Sequence, residues 1–381
     1  MAQSVGVGNG AAGSSSGASA ISDLEVAVYK VATEQAESDG TFTWDATTVV
    51  LVHVSAGDRR GLGFSYATPA CRPLIEGLLA PAVLGSDPLD VTATWADMVA
   101  AIRNVGRPGV ASMAIAAVDI ALWDLKAKLL GLPLCRLLGM ARGDAPVYGS
   151  GGFTSYTDKQ LSDQLAGWAA HGIGLVKMKV GTNWGQRPER DLARAGVARR
   201  AIGDGVELFV DANGGYRRKQ AVRMAGGFAE HGVTWFEEPV SSDDLVGLRE
   251  VRDQVSPDVA AGEYGYDLAY FERMCAAGAV DVVQADVSRC AGITEWLRVA
   301  AVAAAHGLQI SGHCAQSLHL HPACAVANLR HLEYFHDHAR LDRLLFDGVA
   351  DPAGGVLRPD LSRPGLGLEL KAVDAERFRI S

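Results

Sequence analysis

Three acidic residues recur at one interval, and each directly follows a short apolar run. They are Asp211, Glu237 and Glu263, each 26 residues after the one before. This interval fits a strand, a crossover helix and the next parallel strand. Carboxylates at neighbouring strand tips repel one another strongly unless a hard cation lies between them. The spacing therefore predicts a divalent-metal site, with Mg²⁺ as the expected ion.

Two lysines form a second group, because Lys177 and Lys179 stand two residues apart in an apolar run over residues 176–180. Alternation along a strand sends both side chains to one face. Inward lysines are costly to bury unless they face a polar opening. Close like charges lower the pKa of an ammonium group, which makes a lysine a base near neutral pH. The alternative is an exposed edge strand with two solvated lysines.

Asp286 and His313 each end a short apolar run, 27 residues apart, and Glu333 ends the next one. A carboxylate beside one ring nitrogen fixes the histidine tautomer and raises the basicity of the other nitrogen. A structural histidine and a surface glutamate are the alternatives. Asn213 lies in Asp-Ala-Asn-Gly-Gly, which is a candidate substrate contact but also an ordinary turn.

Five further histidines lie between residues 319 and 338. Pairs of the form His-x-His suggest zinc, but no other cysteine or histidine completes a recognisable motif, which favours packing or surface roles. The residues concerned are His319, His321, His331, His336 and His338.

The elements that must position these residues follow from the apolar periodicity. Residues 24–31, 47–54 and 61–65 predict strands, with a polar loop at 33–45, and 110–130 predicts a helix. Eight short strand candidates then alternate with amphipathic helices, at 146–150, 175–180, 207–211, 233–237, 259–263, 281–285, 308–311 and 331–334. This alternation predicts a (β/α) barrel whose chemistry lies at the carboxyl ends of the strands. An open doubly wound sheet is the rival architecture.

We therefore expect four regions in the 381 residues. They are a disordered tail at 1–20, an α+β capping domain at 21–142, the barrel at 143–350 and a segment at 351–381 that returns to the capping domain. The net charge of −9 argues against nucleic acid or an anionic membrane surface as a partner. Six scattered cysteines without a CxxC pair indicate reduced thiols and a cytoplasmic location. No stretch predicts a membrane span.

From about residue 21 onward, the chain resembles the enolase superfamily in its mandelate racemase subgroup. The matching features are Lys-Met-Lys at 177–179, Asp-Ala-Asn at 211–213, Phe-Glu-Glu-Pro at 236–239, Ala-Gly-Glu at 261–263, Asp286, His313 and Glu333. The resemblance implies an α/β fold, a modified (β/α)₇β TIM-like barrel with an N-terminal α+β capping domain, and a homo-oligomer.

The resemblance also implies roles for the residues. Asp211, Glu237 and Glu263 would bind Mg²⁺. Lys179 and the His313–Asp286 pair would be bases on opposite faces of the substrate. Lys177 and Glu333 would contact the carboxylate of a small-molecule substrate, with help from Asn213. A protonated Glu333 would donate a hydrogen bond to the same oxygens.

The expected chemistry is removal of the proton beside a carboxylate, through an enediolate. Two bases permit either dehydration of a sugar acid to a 2-keto-3-deoxy acid or racemisation and epimerisation of a 2-hydroxy acid. The polar loop at 33–45 and Gln316, a candidate hydroxyl contact, favour the dehydratase. A non-catalytic barrel that binds a metal or anion is the alternative from another class.

Overall fold

The structure is a computed structural model that describes residues 19–381. Of the tail predicted at 1–20, residues 1–18 lie outside the described part. Ser19 and Ala20 are exposed and belong to no helix or strand.

The capping domain begins with a three-stranded antiparallel sheet of β1 (Asp23–Ser38), β2 (Thr43–Ala56) and β3 (Arg59–Tyr66). Its helices are α1 (Cys71–Leu74), α2 (Ala80–Val83), α3 (Val91–Ala101), α4 (Val110–Leu129) and α5 (Leu134–Leu137), with a π-helical turn at Ile75–Leu79 between the first two. Helix α4 is buried on nearly every side because it lies between this sheet and the barrel. Gly63 permits the close approach, since a Cβ there would lie 2.2 Å from the Ala117 carbonyl oxygen.

The loop predicted at 33–45 is wrong in extent, because most of it is strand. β1 and β2 form a long hairpin whose turn occupies only residues 39–42. The Asp39 side chain closes this turn by accepting hydrogen bonds from the amides of Thr41 (2.6 Å) and Phe42 (2.8 Å). A register shift between Ala32 and Glu37 breaks the alternation of polar and apolar residues, so the periodicity does not reveal that the strands continue to the turn.

The second domain is a closed barrel of eight parallel strands. These are β4 (Ala145–Gly151), β5 (Leu175–Lys179), β6 (Glu207–Asp211), β7 (Val233–Glu237), β8 (Asp258–Ala261), β9 (Val282–Ala285), β10 (Gln309–Gly312) and β11 (Leu329–Phe335). Closure is direct, because Leu332 to Phe335 of β11 pair in parallel with Val147 to Ser150 of β4. The predicted barrel is confirmed, and the open doubly wound sheet is wrong.

A helix follows each barrel strand. The helices are α6 (Asp158–Ala170), α8 (Pro188–Ile202), α9 (Arg218–Ala229), α10 (Leu245–Arg252), α11 (Leu268–Ala276), α12 (Ile293–Ala305), α13 (Gln316–Cys324) and α14 (His336–Leu345), with a short irregular turn, α7 (Thr182–Gly185), before α8. Helix α13 joins the last two strands and is buried along its whole length. Among residues 19–381, no helix is both long and apolar enough to cross a membrane.

Alternation within the barrel strands decides which side chains reach the mouth, the open end of the barrel at the carboxyl ends of its strands. Tyr148, Phe209 and Trp235 fill the interior together with Ala260 and Val282. Asp211 and Glu237 stand two residues beyond Phe209 and Trp235, so they point inward one layer higher. The aromatic side chains thus form the layer of the barrel interior directly below the acidic side chains.

The C-terminal part contributes β12 (Phe346–Asp347), β13 (Val356–Leu357), β14 (Glu369–Leu370) and α15 (Ala372–Ala375), followed by a 3₁₀ turn at Glu376–Phe378. Strand β13 pairs antiparallel with β4 of the barrel. At the chain end, Val28 donates its amide hydrogen to the Ser381 carbonyl, and Ile380 donates to the Val28 carbonyl. The final residues thereby lie against β1 of the capping domain.

Candidate active site

The three acidic residues meet at the carboxyl ends of β6, β7 and β8. Oxygens of Asp211, Glu237 and Glu263 lie within 4.8 Å of one another, and all three residues are buried. Parallel pairing sets Asp211 directly beside Glu237. Glu263 Oε2 is buried and has no hydrogen-bond partner among the described residues. A compact set of three hard oxygen donors, one of them unsatisfied, fits a divalent cation such as Mg²⁺.

Both lysines of β5 point into the same mouth. Lys177 Nζ lies 2.5 Å from Glu237 Oε1, 2.8 Å from Glu333 Oε1 and 3.4 Å from Asp211 Oδ2. Lys179 Nζ lies 2.5 Å from Asp211 Oδ2. The edge-strand alternative is wrong, because β5 lies between β4 and β6 and both lysines are buried.

The expected lowering of the lysine pKa is wrong in sign for these side chains. Burial lowers the pKa of Lys179 and so does Lys177, but the Asp211, Glu333 and Glu263 carboxylates outweigh them and raise it. The pKa of Lys177 also rises, since Glu237 and Glu333 outweigh its burial. Without a bound cation, the carboxylates around the mouth therefore favour the ammonium form of both lysines.

His313 and Asp286 form the expected pair. His313 Nδ1 lies 2.8 Å from Asp286 Oδ2, and the other oxygen of Asp286 accepts the amide and hydroxyl of Ser288 at 2.7 Å. Burial raises the pKa of Asp286, but the hydrogen bond to His313 and the charge of nearby Arg289 hold it well below its usual range. His313 Nε2 is left facing the mouth, 3.3 Å from Glu263 Oε2.

Glu333 lies at the centre of the mouth but not in the form expected. Its Oε1 accepts the Ser150 hydroxyl at 2.5 Å and faces Lys177, and its Oε2 accepts the Cys314 amide at 2.9 Å. Burial raises its pKa, but Lys177 and other cations outweigh burial and hold the pKa well below the usual value. Without a bound cation, these contacts therefore favour the carboxylate form of Glu333 over the protonated form considered from the sequence.

The two predicted substrate contacts each keep one free acceptor. The Asn213 backbone amide donates to Asp211 Oδ1 at 2.9 Å, while its side-chain Oδ1 is buried and has no hydrogen-bond partner within residues 19–381. Gln316 Nε2 donates to Asp342 Oδ2 at 2.8 Å, while its Oε1 is buried without a partner among the described residues. Asp342 thus fixes the Gln316 amide and leaves only its carbonyl oxygen available.

Several residues of the mouth were missed by the sequence argument. Glu238 is buried beside the acidic trio with a left-handed φ of 37°, and burial together with Glu263 raises its pKa. Arg289 lies 3.2 Å from Glu263 Oε1 and 3.5 Å from Asp286 Oδ2. Cys314 places its Sγ 3.3 Å from His313 Nε2. Glu238 and Cys314 directly follow predicted site residues, and this adjacency was the available signal.

Of the five remaining histidines, four are buried and hydrogen-bonded, while His336 is partly exposed and its Nε2 lies 3.4 Å from Glu34 Oε2. His319 contacts the Ala285 carbonyl, His321 accepts the Cys135 amide, and His331 contacts the Ser311 hydroxyl. His338 accepts the Ala315 amide and stacks on Tyr66. Within 19–381, these histidines form no joint metal-binding group.

The tip of the capping hairpin reaches over the mouth. The Gly40 carbonyl accepts the Trp184 amide at 2.8 Å, and the Thr154 hydroxyl donates to the Asp39 carbonyl at 2.5 Å. Beside the tip, a cavity of about 620 Å³ is lined by Asn213, Glu238 and Trp184, among others. This volume suits a small organic ligand.

Comparison with known proteins identifies the family. The model "Mandelate racemase / muconate lactonizing enzyme, N-terminal domain" matches residues 18–139, and "Enolase C-terminal domain-like" matches residues 160–375. A curated relative is L-talarate/galactarate dehydratase from Salmonella typhimurium, 34% identical over 75% of this chain and 73% of that protein. Other relatives are named as sugar-acid dehydratases, cycloisomerases and an epimerase.

Two solved structures show the same fold. A mandelate racemase/muconate lactonizing enzyme-like protein from Rubrobacter xylanophilus superimposes with a TM-score of 0.92 and 53% identity, over 95% of this chain and 100% of that one. A racemase from Streptomyces coelicolor A3(2) with bound magnesium gives a TM-score of 0.89 and 28% identity, over 94% of this chain and 100% of that one. The chain belongs to the mandelate racemase/muconate lactonizing enzyme family of the enolase superfamily.

Proposed function

We propose that this protein is a Mg²⁺-dependent enzyme that removes the proton beside a substrate carboxylate. We further propose that its reaction is the dehydration of a sugar acid to a 2-keto-3-deoxy acid. The observation that carries the proposal is the arrangement around the acidic trio. Lys179, on β5, stands on one side of it, and the His313–Asp286 pair, after β10 and β9, stands on the other.

Asp211, Glu237 and Glu263 are the proposed ligands. When bound, Mg²⁺ would offset most of their negative charge and would stabilise the negative charge that develops on the substrate carboxylate oxygens. Lys177, held between Glu237 and Glu333, supplies a second positive charge at the same place. The side-chain oxygens of Asn213 and Gln316, which have no hydrogen-bond partner in the described part of the chain, can accept hydrogen bonds from substrate hydroxyls.

Lys179 and His313 are the proposed proton-transfer groups. Asp286 holds the proton on Nδ1, so the lone pair of Nε2 faces the mouth and can accept a proton. Once protonated, the same nitrogen can deliver a proton to a departing β-hydroxyl, which leaves as water. Dehydration therefore needs one base for the α-proton and one acid for the leaving group, and both are present.

Two features support a polyhydroxylated substrate over an apolar one. The hairpin near the mouth carries Glu37, Asp39 and Thr41, and the cavity beside it is lined by Asn213 and Glu238. Relatives named as dehydratases of sugar acids support the same class. Homo-oligomeric assembly and a cytoplasmic location stay predictions.

The second candidate is racemisation or epimerisation of a 2-hydroxy acid. It is favoured by the same pair of bases, because a proton removed by one can be returned by the other to the opposite face. The Streptomyces coelicolor neighbour named as a racemase supports it. A non-catalytic metal-binding barrel is the third candidate, although it offers no reason for two proton-transfer groups beside the metal ligands.

One screen separates these candidates. The protein is incubated in D₂O with Mg²⁺ and a panel of sugar acids, and α-proton exchange and semicarbazide-reactive keto acid are measured. We expect keto-acid formation that EDTA abolishes and added Mg²⁺ restores. Exchange without a keto product would establish the racemase or epimerase, and no exchange with any acid would favour the binding barrel.

The metal ligands are tested independently of turnover. We expect Glu237→Gln to weaken Mg²⁺ binding about tenfold or more, because a carboxylate ligand is lost. The exposed Glu230→Gln is the matched control. Isothermal titration of each protein with MgCl₂ gives the affinity, and an unchanged affinity in Glu237→Gln would remove this residue from the ligand set.

A further inference from the structure

Two residues after the seventh barrel strand, β10, and one residue of the eighth, β11, bring together three unlike donors that the proposed reaction does not use as a group. His313 Nε2, Cys314 Sγ and a Glu333 oxygen lie within 4.8 Å of one another, and all three residues are buried. Mg²⁺ prefers oxygen ligands and binds sulfur or imidazole nitrogen weakly. The combination of nitrogen, sulfur and oxygen donors is instead the kind that binds Zn²⁺.

The separations match a single ion. Cys314 Sγ lies 3.3 Å from His313 Nε2 and 3.5 Å from Glu333 Oε2, and His313 Nε2 lies 3.8 Å from Glu333 Oε2. Bonds of about 2.0–2.3 Å to tetrahedrally placed donors set those donors roughly 3.3–3.8 Å apart. Hence one ion would fit all three donors with little movement of the chain.

Two further contacts favour a built site. Asp286 occupies Nδ1 of His313, which is the usual support of a metal-ligating histidine and leaves Nε2 for the ion. Glu263 Oε2 lies 3.3 Å from the same Nε2 and is buried without a hydrogen-bond partner among the described residues. Glu263 therefore offers an unsatisfied oxygen at the edge of this site, on the side of the acidic trio.

We propose that His313, Cys314 and Glu333 form a second, inhibitory metal site for a thiophilic divalent cation such as Zn²⁺ or Cd²⁺. On binding, the Cys314 thiol loses its proton to the buffer and the sulfur bonds to the cation. His313 and Glu333 bond through a lone pair without losing a proton. The thiolate and the Glu333 carboxylate balance the two positive charges, so the bound site is neutral.

The inhibitory consequence, unlike the binding itself, rests on the proposed function. A cation on Nε2 occupies the lone pair that His313 needs for proton transfer. Because Mg²⁺ does not compete for a thiolate, raising its concentration would not restore turnover. Removal of the cation with a zinc chelator would.

Binding is measured with Cd²⁺ on the full chain in excess Mg²⁺. We expect a thiolate-to-cadmium charge-transfer absorption that saturates at one equivalent. Cys314→Ser should lose this absorption and bind Cd²⁺ at least about tenfold more weakly. Cys275→Ser, which removes another buried thiol on an outer helix, is the matched control and should retain both.

A third variant separates the two metal sites. Asp211→Asn weakens the acidic trio, so it should impair Mg²⁺ binding and leave the cadmium absorption intact. No absorption in the parent protein, or the same absorption in Cys314→Ser, would overturn the proposal and leave the thiol as a hydrogen-bond donor. Loss of the absorption in Asp211→Asn would also overturn it, because the cation would then lie at the trio.

The test does not depend on knowing the substrate. If no sugar acid is turned over, the proposed function fails while the cadmium titration still decides the site. If turnover is found, zinc inhibition at saturating Mg²⁺ should be relieved in Cys314→Ser. Equal zinc inhibition of the parent and Cys314→Ser would contradict the inhibitory role.

Discussion

The orientation of the His313 ring is set by Asp286, which follows the adjacent strand β9. Asp286 Oδ2 lies 2.8 Å from His313 Nδ1, and two hydrogen bonds from Ser288 hold Asp286 in turn. Lys179 is placed by β5 and by its contact with Asp211. The two proposed bases thus differ in how they are fixed, although both are buried.

At this scale, the first prediction concerns the bases themselves. We expect His313→Asn and Lys179→Ala each to lower turnover by about 10²–10⁴-fold, which is the usual contribution of a positioned acid or base. Both variants should still fold and still bind Mg²⁺. The exposed His306→Asn is the control for histidine replacement. Unfolding of either variant would instead show that the residue holds the structure.

At the scale of elements, the β1–β2 hairpin connects the two domains at the mouth. Ser38 and Thr154 share a hydrogen bond of 2.6 Å, and Gly40 lies against the backbone of the segment after β5. Asp39 lies near enough to Lys179 and Asp211 for their charges to affect its pKa. The hairpin is therefore both a lid over the site and part of its electrostatic surroundings.

The second prediction tests the fit of this lid. A Cβ on Gly40 would lie 2.6 Å from the Val180 carbonyl oxygen and 2.9 Å from that of Ala212, so Gly40→Ala must lift the tip. We expect kcat/KM to fall roughly 10–100-fold, because small displacements of positioning groups are costly. Gly205→Ala, where a Cβ meets nothing within 4 Å, is the control. Unaltered kinetics of Gly40→Ala would show that the tip is not needed in this position.

The third prediction uses Glu37, which lies in the same hairpin. The pKa of Glu37 is raised to about 8, chiefly by burial and next by the charge of Asp337, with exposed Glu34 acting in the same direction. The Trp44 hydrogen bond and Arg340 act in the opposite direction. The folded state therefore favours the protonated form. Its contribution to stability is complete below the unfolded pKa of about 4.3 and is lost as the pH rises through about 8.

We therefore expect Glu37→Gln, which cannot ionise but still accepts from Trp44, to lose less stability than the parent between pH 5 and pH 9. A difference of about a few degrees in the change of melting temperature is expected. Glu34→Gln, in the same strand but exposed, should behave like the parent. Parallel melting curves for the parent and Glu37→Gln across this range would refute the assignment.

At the scale of the whole molecule, helix α4 joins the parts of the chain through buried aspartates. Asp119 accepts the Thr294 hydroxyl at 2.6 Å and amide at 3.0 Å, which ties the helix to α12 of the barrel. Asp124 accepts the amides of Leu62 and Leu366, each at 2.7 Å. The Asp124 carboxylate thus connects α4 to strand β3 and to the C-terminal segment.

The fourth prediction follows from this sharing. Asp124→Ala leaves two buried amides without an acceptor and Lys128 without its partner at 2.7 Å. We expect it to lower the free energy of unfolding by about 3–5 kcal/mol, as for other broken buried ion pairs. The exposed Asp97→Ala should change it by less than about 0.5 kcal/mol. Urea unfolding of the three proteins gives these values, and a loss no larger in Asp124→Ala than in Asp97→Ala would contradict the role.

The sequence by itself determined the eight barrel strands and the residues at their tips. A strand period of two and the 26-residue interval are local properties, and they suffice to place Asp211, Glu237 and Glu263 together once the sheet closes. The pair of Asp286 and His313 followed in the same way, because adjacent parallel strands bring their ends together.

Only the tertiary structure decided the protonation of the mouth and the extent of the hairpin. The pKa of Lys179 rises and that of Glu333 falls because of carboxylates and ammonium groups on other strands, whose distances no sequence pattern contains. The hairpin strands were predicted at 24–31 and 47–54, but the parts nearest the turn were missed because a register shift interrupts the period on which strand prediction depends. Cys314 joined the site for the same reason, since its partner Glu333 belongs to the next strand.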